Sequence, residues 1–436
     1  MAKSYRFRRL LAPTTGFIKA SLMMLLGILL FLMGVALSFR LLLMPFLENL
    51  SNWSQSLMAR LLPPGQDVEQ AAHMLGGGLL LLGFYLQFLA VRAGLRYFLE
   101  TINPGMKSGV AERFVRQQQL AQGPRIVAIG GGTGLSTLLR GLKQHSSNIT
   151  AIVTVTDDGG SSGRLTQETG IIPPGDIRNC LVALADAEKA MTDLFQHRFK
   201  EDSGALSGHS MGNLLIAALV DQGRGDFERA IEIAGDVLAI RGRVVPSTLS
   251  HVKLRALMED GTEIIGETKI VEADKRIRRI FIEPEYVEAY QGAIDAILEA
   301  DLICIGPGSV YTSVIPNFLV PGIAEAVRKS SAPKAYICNV MTQPGESDSF
   351  TASEHLLAIQ ANIDTRICDY VLMNTELPSG PIIGRYRSAG QHVVEPDGDR
   401  IKAMGFKVIP GNYISETDLV RHDPMRLAAK LVSLVK

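Results

Sequence analysis

The hydrophobic residues follow two different patterns along the chain. Near the N-terminus they form two long apolar runs, residues 17–39 and 70–91, each long enough for a helix that crosses a bilayer. After Pro124 they form short β-branched runs separated by helical stretches. Short strands that alternate with helices predict an α/β, Rossmann-like body with a mostly parallel sheet and helices on both faces.

This pattern divides the chain into an N-terminal membrane hairpin (1–97), a polar connector (98–123) and a cytosolic domain (124–436). Within that domain, residues 243–285 predict a small β-rich insertion, because two apolar runs flank the turn-like Glu259–Gly261. The other strands are predicted at 125–129, 149–155, 302–305, 335–338 and 370–373, and helices at 135–144, 176–187 and 213–220.

Composition narrows the function classes. The 436 residues carry 44 Lys and Arg against 44 Asp and Glu, so the broad basic surface that nucleic-acid binding needs is excluded. Four scattered cysteines without CxxC spacing indicate a reducing compartment rather than a disulfide framework or a zinc ribbon. They are Cys180, Cys304, Cys338 and Cys368.

Lys and Arg residues precede the first apolar run and follow the second, whereas the loop between them carries only Arg40 and Arg60. This asymmetry predicts a multi-pass protein of the cytoplasmic (inner) membrane with its main domain on the cytoplasmic side. The alternatives are a cleaved signal peptide, which the length of the first run disfavours, or a pair of buried core helices. The simplest role for the hairpin is an anchor.

A glycine-rich loop follows the first predicted strand. It comprises Gly130, Gly131, Gly132, Thr133 and Gly134 and leads into a helix. Glycines let a phosphate approach the backbone, and a helix N-terminus offers unpaired N–H groups. The loop is neither a P-loop nor a full dinucleotide fingerprint, since the third glycine of GxGxxG falls at Leu135. A tight structural turn is the alternative.

An acidic loop, Thr156–Arg164, follows the second predicted strand. Asp157 and Asp158 are suited to bind ligand hydroxyls or Mg²⁺ beside a pyrophosphate, and Ser161 and Ser162 offer hydroxyl groups. The alternative is a solvated acidic turn.

Two further polar segments open helices, Pro173–Asn179 and Gly208–Asn213. In the first, Asp176 is either a helix N-cap or a ligand contact. In the second, Ser210 and Asn213 are candidates to cap the helix or to bind. His209 is more often structural than catalytic in such a position.

A second glycine-rich strand exit comprises Gly306, Gly308 and Ser309, followed by Tyr311, whose ring is suited to stack on a base. Two such loops on one sheet suit a ligand with a diphosphate and two end groups, such as a nucleotide sugar or a dinucleotide.

Taken in order, these loops resemble the gluconeogenesis factors (YvcK-like), a family grouped with CofD-like 2-phospho-L-lactate transferases. The resemblance covers about residues 124–436 and leaves out the membrane hairpin, so an anchored member is a departure from the soluble ones. It rests on Ile129–Gly134, Thr156–Gly163, Pro174–Asn179, Gly208–Asn213, Gly306–Ser309 with Tyr311–Ser313, and Cys338–Glu346 with Glu354 and His355.

The resemblance implies a UDP-sugar-binding regulator of cell shape and envelope synthesis during gluconeogenic growth, without established catalysis. UDP-N-acetylglucosamine is the ligand that it suggests. It adds Asn179 and Asn339 to the expected ligand contacts. The oligomeric state stays open, with a homo-oligomer among the choices.

Two rival interpretations remain. The transferase relatives move a phospholactyl group from a guanosine diphosphate donor to the deazaflavin precursor Fo with Mg²⁺, a metal that Asp157 and Asp158 would hold here. An NAD-dependent oxidoreductase is the third interpretation, and the missing glycine at Leu135 argues against it.

Overall fold

The chain forms two compact units, Met1–Gln117 and Gln118–Lys436. The computed structural model describes residues 26–30, 33–34, 40–61, 63, 67–102, 110–187, 189–200, 202–363, 365–416 and 420–435.

The N-terminal unit contains the helices Arg40–Leu61 and Val68–Ile102. The second predicted apolar run lies within Val68–Arg92, a 25-residue stretch with a mean hydropathy of 1.9 that is not buried in the protein. It is the one described helix that by itself is long and apolar enough to cross a membrane. Most of the first run, residues 17–39, lies outside the described residues, so the two-helix hairpin stays a prediction.

The connector predicted at 98–123 is more helical than its polar sequence indicates. The helix Val68–Ile102 extends into it, and a further helix, Val110–Ala121, spans the division between the two units.

The described residues of the second unit form twelve strands. They are β1 Ile126–Gly130, β2 Ile149–Val153, β3 Arg243–Pro246, β4 Lys253–Met258, β5 Glu263–Ile265, β6 Ile277–Glu283, β7 Leu302–Ile305, β8 Lys334–Ile337, β9 Tyr370–Asn374, β10 Lys407–Gly411, β11 Ile414–Glu416 and β12 Val420–His422.

Helices connect most of these strands. They are Gly132–Leu142, Gly160–Thr169, Gly175–Leu184, Lys189–Gln196, Met211–Gln222, Phe227–Leu238, Glu267–Glu272, Gln291–Glu299, Ile315–Leu319, Ile323–Lys329, Ala352–Asn362, Gly380–Ser388, Gly398–Ala403 and Pro424–Val432, with a 3₁₀ turn at Gly204–Leu206 and a π-helical turn at Val310–Val314.

The main sheet has seven strands in the order β10–β9–β8–β7–β1–β2–β3, and every pair is parallel. From β1 the chain adds β2 and β3 on one side and then returns to add β7 to β10 on the other. The strand order therefore reverses between β1 and β7. In sheets of this kind, ligands bind beyond the carboxyl ends of the strands at that switch point. The predicted Rossmann-like fold is confirmed.

The strands next to the switch point are fully buried, as expected for a parallel sheet covered on both faces. All residues of β1 and β7 are buried, and Ile129 and Ile305 are 0% exposed. The β-branched runs in the sequence are therefore the centre of the core, which holds the loops that follow them in fixed positions.

The β-rich insertion exists but begins later than predicted. Arg243–Pro246 is β3 and pairs in parallel with β2, so it belongs to the main sheet. The insertion itself is the antiparallel sheet β5–β4–β6 with the helix Glu267–Glu272. The sequence pattern does not reveal that β3 pairs with β2, about 90 residues earlier in the chain.

Candidate functional site

The two glycine-rich loops meet at the switch point. Gly306 N donates to Ile129 O at 2.8 Å, which joins the end of β7 to the end of β1. A β-carbon added to Gly134 would lie 2.5 Å from the carbonyl oxygen of Pro307, so only glycine lets the loops approach this closely. The two strand exits, predicted to be neighbours, therefore face one another across one crevice.

The first loop is itself the start of a helix. The helix was predicted from Leu135 but begins at Gly132, which has a φ of +64°. The first N–H groups of a helix have no partner within it, so they form a ready anion-binding site. Thr133 and Gly134, in the first turn of this helix, both line the crevice.

Asp176 accepts a hydrogen bond from one of the N–H groups at the start of this helix. Gly132 N donates to Asp176 Oδ2 at 2.6 Å, while Pro174 is the N-cap of Asp176's own helix. Asp176 is thus not the cap that one reading of the sequence proposed; it bonds to the start of the neighbouring helix. Burial, followed by the nearby charge of Asp157, raises the pKa of Asp176 to about 6.

The second loop is held by side chains from the end of β8. Asn339 Nδ2 donates to Gly308 O at 2.8 Å, and Gly308 N donates to Asn339 Oδ1 at 3.3 Å. Gln343 Nε2 donates to Ser309 Oγ at 2.7 Å. Asn339 was expected to contact the ligand. In the structure its side-chain amide instead forms hydrogen bonds that hold the second loop.

Between the loops lies a cavity of about 260 Å³. The predicted residues that line it are Gly131, Gly132, Thr133, Gly134, Gly308, Ser309 and Asn339. The lining also includes residues that the sequence did not suggest, among them Tyr386, Gln391, Arg421 and His422. These four come from the C-terminal quarter of the chain, where no glycine-rich strand exit marks them.

Arg421 gives the crevice a cation. Its side chain is exposed, whereas the neighbouring His422 is buried. Burial lowers the pKa of His422 to about 4, so its imidazole is neutral near pH 7. Arg421 thus supplies the positive charge at this edge, in addition to the N–H groups of the loops.

A larger cavity of about 760 Å³ lies elsewhere, between the helices Gly160–Thr169 and Met211–Gln222. Its lining is mainly apolar, and it contains none of the predicted site residues. The smaller crevice is the better candidate because backbone donors and a cation converge on it.

Several predicted residues form a separate buried network. Ser161 Oγ lies 3.0 Å from His209 Nδ1 and accepts from Asn213 Nδ2 at 3.1 Å. Arg178 donates to Ser210 and also to Asn179 Oδ1, the latter at 2.7 Å. These side chains bond to one another and do not line the crevice. Burial lowers the pKa of His209, which is only 3% exposed, so the structural reading of this histidine fits better than the catalytic one.

The two aspartates of the acidic loop make different contacts. Asp157 Oδ1 accepts from Gly159 N at 3.0 Å, and Ser162 bonds to the same carboxylate. Asp158 Oδ1 accepts from Thr268 N at 2.9 Å and from Thr268 Oγ1 at 2.7 Å, which ties the loop to the insertion. Within the part of the chain that the structure describes, no group of three or more His, Cys, Asp or Glu is placed to hold a metal ion.

Two carboxyl groups that were not among the predicted site residues are the half-buried Glu267 and the buried Glu346. Glu267 accepts from Thr156 Oγ1 at 3.3 Å, and burial together with the charges of Asp157 and Asp176 raises its pKa well above the ordinary value. Burial raises the pKa of Glu346 to about 7. Glu267 lies far along the chain from Thr156, so only the folded chain brings the two together.

Tyr311 does not face the crevice. It is 4% exposed, its hydroxyl donates to Ile277 O at 3.3 Å, and its ring packs edge-on against Phe350. A ring held in the core in this way is not available to stack on a base, so the stacking role expected of Tyr311 does not fit its position.

Comparison with known proteins identifies what the chain resembles. The family described as 2-phospho-L-lactate transferase CofD matches residues 126–414, a range that includes every loop discussed above. A protein of Bacillus subtilis named gluconeogenesis factor is 48% identical over 318 residues, which cover 73% of this chain and 100% of that protein. A crystal structure of a Bacillus halodurans protein has a TM-score of 0.69 and 47% identity, and it covers 71% of this chain and 99% of that one.

A relative from Nostoc sp., provisionally named a gluconeogenesis factor, is 46% identical over 409 residues, or 93% of this chain and 88% of its own. Because 93% of the chain is covered, the likeness includes much of the N-terminal unit, Met1–Gln117. The N-terminal unit is therefore shared with at least one relative, whereas the resemblance seen in the sequence covered only about residues 124–436.

Proposed function

The chain belongs to the CofD family, and from this premise we propose that it binds a UDP-sugar, such as UDP-N-acetylglucosamine, in the crevice between the β1 and β7 loops. The observation that carries the proposal is the contact of the two glycine-rich loops at the switch point of the sheet, with Arg421 at the edge.

The chemistry of the lining suits a diphosphate with two end groups. The N–H groups of Thr133 and Gly134 and the guanidinium of Arg421 are donors for phosphate oxygens. Gln391 brings a neutral polar group for a sugar or a base edge to the same crevice. Neutral and cationic donors together favour a nucleotide sugar over a highly charged triphosphate.

We propose a regulatory role rather than catalysis. His209 belongs to the buried network, and Asn339 and Gln343 are engaged with the second loop. The relatives named gluconeogenesis factor support a role in gluconeogenic growth. Within that role, the bound nucleotide sugar would report the supply of envelope precursors and so link the protein to cell shape and envelope synthesis.

The same proposal includes a membrane anchor. The stretch Val68–Arg92 and the apolar run at 17–39 would hold the protein in the cytoplasmic membrane with Gln118–Lys436 on the cytoplasmic side. After cell fractionation, the full chain should stay in the membrane pellet through alkaline carbonate and leave it only in detergent. Release by carbonate alone would contradict a spanning anchor.

Calorimetry on residues 118–436 tests ligand binding. This segment is a reasonable unit to isolate, since the Bacillus subtilis relative aligns over its full length with only 73% of this chain. We expect saturable binding of UDP-N-acetylglucosamine and much weaker binding of uridine, which has no diphosphate. No detectable heat at millimolar ligand would overturn the proposal.

The alternative is a transferase of the phospholactate type that uses Mg²⁺. The CofD match favours it, whereas the commitment of Asp158 to Thr268 leaves the predicted metal pair incomplete. Mg²⁺-dependent turnover of a nucleotide-diphosphate donor that disappears in Asp157→Asn would favour this alternative over the regulator.

A further inference from the structure

One buried side chain joins the exits of β1 and β7. Asn317 lies on the helix Ile315–Leu319, just after the second glycine-rich loop, and is 0% exposed. Its Nδ2 donates to Gly130 O at 3.2 Å and to Ser313 O at 2.8 Å. Gly130 ends β1, and Ser313 lines the crevice. A single amide thus connects the first loop to the segment that follows the second.

The two hydrogen bonds from Asn317 Nδ2 fix the orientation of its side-chain amide. Both hydrogens of Nδ2 are used, whereas the buried Oδ1 has no partner among the residues that the structure describes. An unpartnered buried oxygen lowers stability, so simple packing would be better served by an apolar residue. The π-helical turn Val310–Val314 directly before this helix directs the Ser313 carbonyl to the amide, and such turns are frequent at functional sites.

The crevice depends on the spacing that this amide fixes. A β-carbon on Gly308 would lie 3.1 Å from Ser313 Cβ, and one on Gly131 would lie 3.4 Å from it. Ser313 therefore sits between the two loops. Any shift of the Ser313 backbone relative to Gly130 changes the width of the crevice between them.

We propose that Asn317 is a positioning residue, which sets the separation of the two glycine-rich loops without touching the ligand. It complements Asn339, which fixes Gly308 from the other side. The expected change in ligand affinity rests on the proposed function, whereas the expected change in the hydrogen exchange of the loops does not.

The experiment compares Asn317→Ala with Asn362→Ala in residues 118–436. Asn362 is a matched control, because its buried amide also bridges two elements: Nδ2 donates to Ala358 O at 2.8 Å, and Oδ1 accepts from Ile280 N at 2.7 Å. It lies outside the crevice lining. Asn317→Ser serves as a milder second variant. Thermal unfolding, hydrogen exchange by mass spectrometry and calorimetry with UDP-N-acetylglucosamine are measured on each.

With no ligand present, Asn317→Ala and Asn317→Ser should exchange faster in peptides that contain 130–134 and 306–313. Asn362→Ala, at a similar loss of melting temperature, should leave those peptides unchanged. Affinity should fall at least tenfold in Asn317→Ala and stay within twofold in Asn362→Ala. Unchanged exchange at both loops, or equal loop effects in the control, would overturn the positioning role. If the unaltered protein binds no UDP-N-acetylglucosamine, the proposed function fails while the exchange result still decides on Asn317.

Discussion

The crevice and the buried network around Ser161 both contain residues predicted to bind a ligand, but their polar groups have opposite surroundings. In the crevice, glycines expose backbone N–H groups to a cavity, with Arg421 at its edge. In the network, Ser161, His209 and Asn213 direct their polar groups at one another. Both follow neighbouring strands, yet of the two only the glycine-rich loops line the cavity.

The difference shows what separates a binding loop from a structural one. Polar side chains that are close together satisfy each other and become buried, because an unpaired polar group in the core lowers stability. Backbone donors at a helix start have no such partner within the helix and keep their capacity for an anion. A strand exit therefore becomes a binding site when its donors belong to the backbone.

The largest expected effect comes from closing the crevice itself. In Gly134→Val the new β-carbon would lie 2.5 Å from Pro307 O, so the loops must move apart. Affinity for UDP-N-acetylglucosamine should fall by roughly a hundredfold or more, and the free energy of unfolding by about 1–3 kcal/mol from overpacking. Calorimetry and thermal unfolding measure the two.

Gly384→Ala is the matched control for that variant. A β-carbon there has no atom within 4 Å, and Gly384 has no left-handed φ. Its affinity should equal that of the unaltered protein. Normal binding by Gly134→Val would mean that the loop contact is irrelevant to the ligand.

The next effect concerns charge at the crevice. Arg421→Ala removes a donor for a phosphate oxygen, and a charge-assisted hydrogen bond of about 1.4 kcal/mol corresponds to roughly a tenfold loss of affinity. The melting temperature should not change, because the side chain is exposed. Arg229→Ala, which removes an exposed arginine paired with Glu232, should leave affinity unchanged. An equal effect from both variants would point to general electrostatics rather than a contact by Arg421.

A smaller effect should appear on changing the pH. Asp176 has a pKa of about 6, so it is mostly neutral at pH 5 and charged at pH 8. Its charge lies beside the Gly132 N–H and repels an anionic ligand, so affinity should fall several-fold as the pH rises through 6. Titration calorimetry from pH 5 to 8 measures the change.

Asp176→Asn should flatten that part of the profile, since the amide stays neutral and its oxygen still accepts from Gly132 N. Glu346, with a pKa of about 7, also titrates near neutral pH, and Glu346→Gln removes its contribution. His422, with a pKa of about 4, does not titrate in this range. Affinity that rises with pH would contradict the assigned position of the Asp176 charge.

The sequence was a good guide where local pattern decides the structure. The buried strands β1 and β7 and the glycines that follow them were predicted, since a β-branched run followed by glycines has few other folds. The helix at Gly132 began earlier than expected because glycine is a poor helix former, yet its first turn lies against Pro307 and is stabilised there.

Contacts between segments that lie far apart in the chain could not be predicted from the sequence pattern. Nothing near Arg421 or Glu267 marks them as neighbours of loops far away in the chain, and β3 was assigned to the insertion because its pairing with β2 spans a long segment. Tyr311 shows the same limit: its ring was predicted to lie in the site because it follows the second glycine-rich loop, but in the structure it packs against Phe350.

The smallest effect on affinity should come from the buried network, and it completes the contrast with the crevice. Ser161→Ala removes the oxygen that contacts His209 Nδ1, Asn213 Nδ2 and Ser210 N, so three buried polar groups lose a partner. The free energy of unfolding should fall by about 1–3 kcal/mol, measured by denaturant titration. Affinity for UDP-N-acetylglucosamine should stay within twofold, because no member of this network lines the cavity. Ser388→Ala, at an exposed serine, should change neither quantity. A tenfold loss of affinity without a loss of stability in Ser161→Ala would place the network in the ligand site and remove the distinction between the two regions.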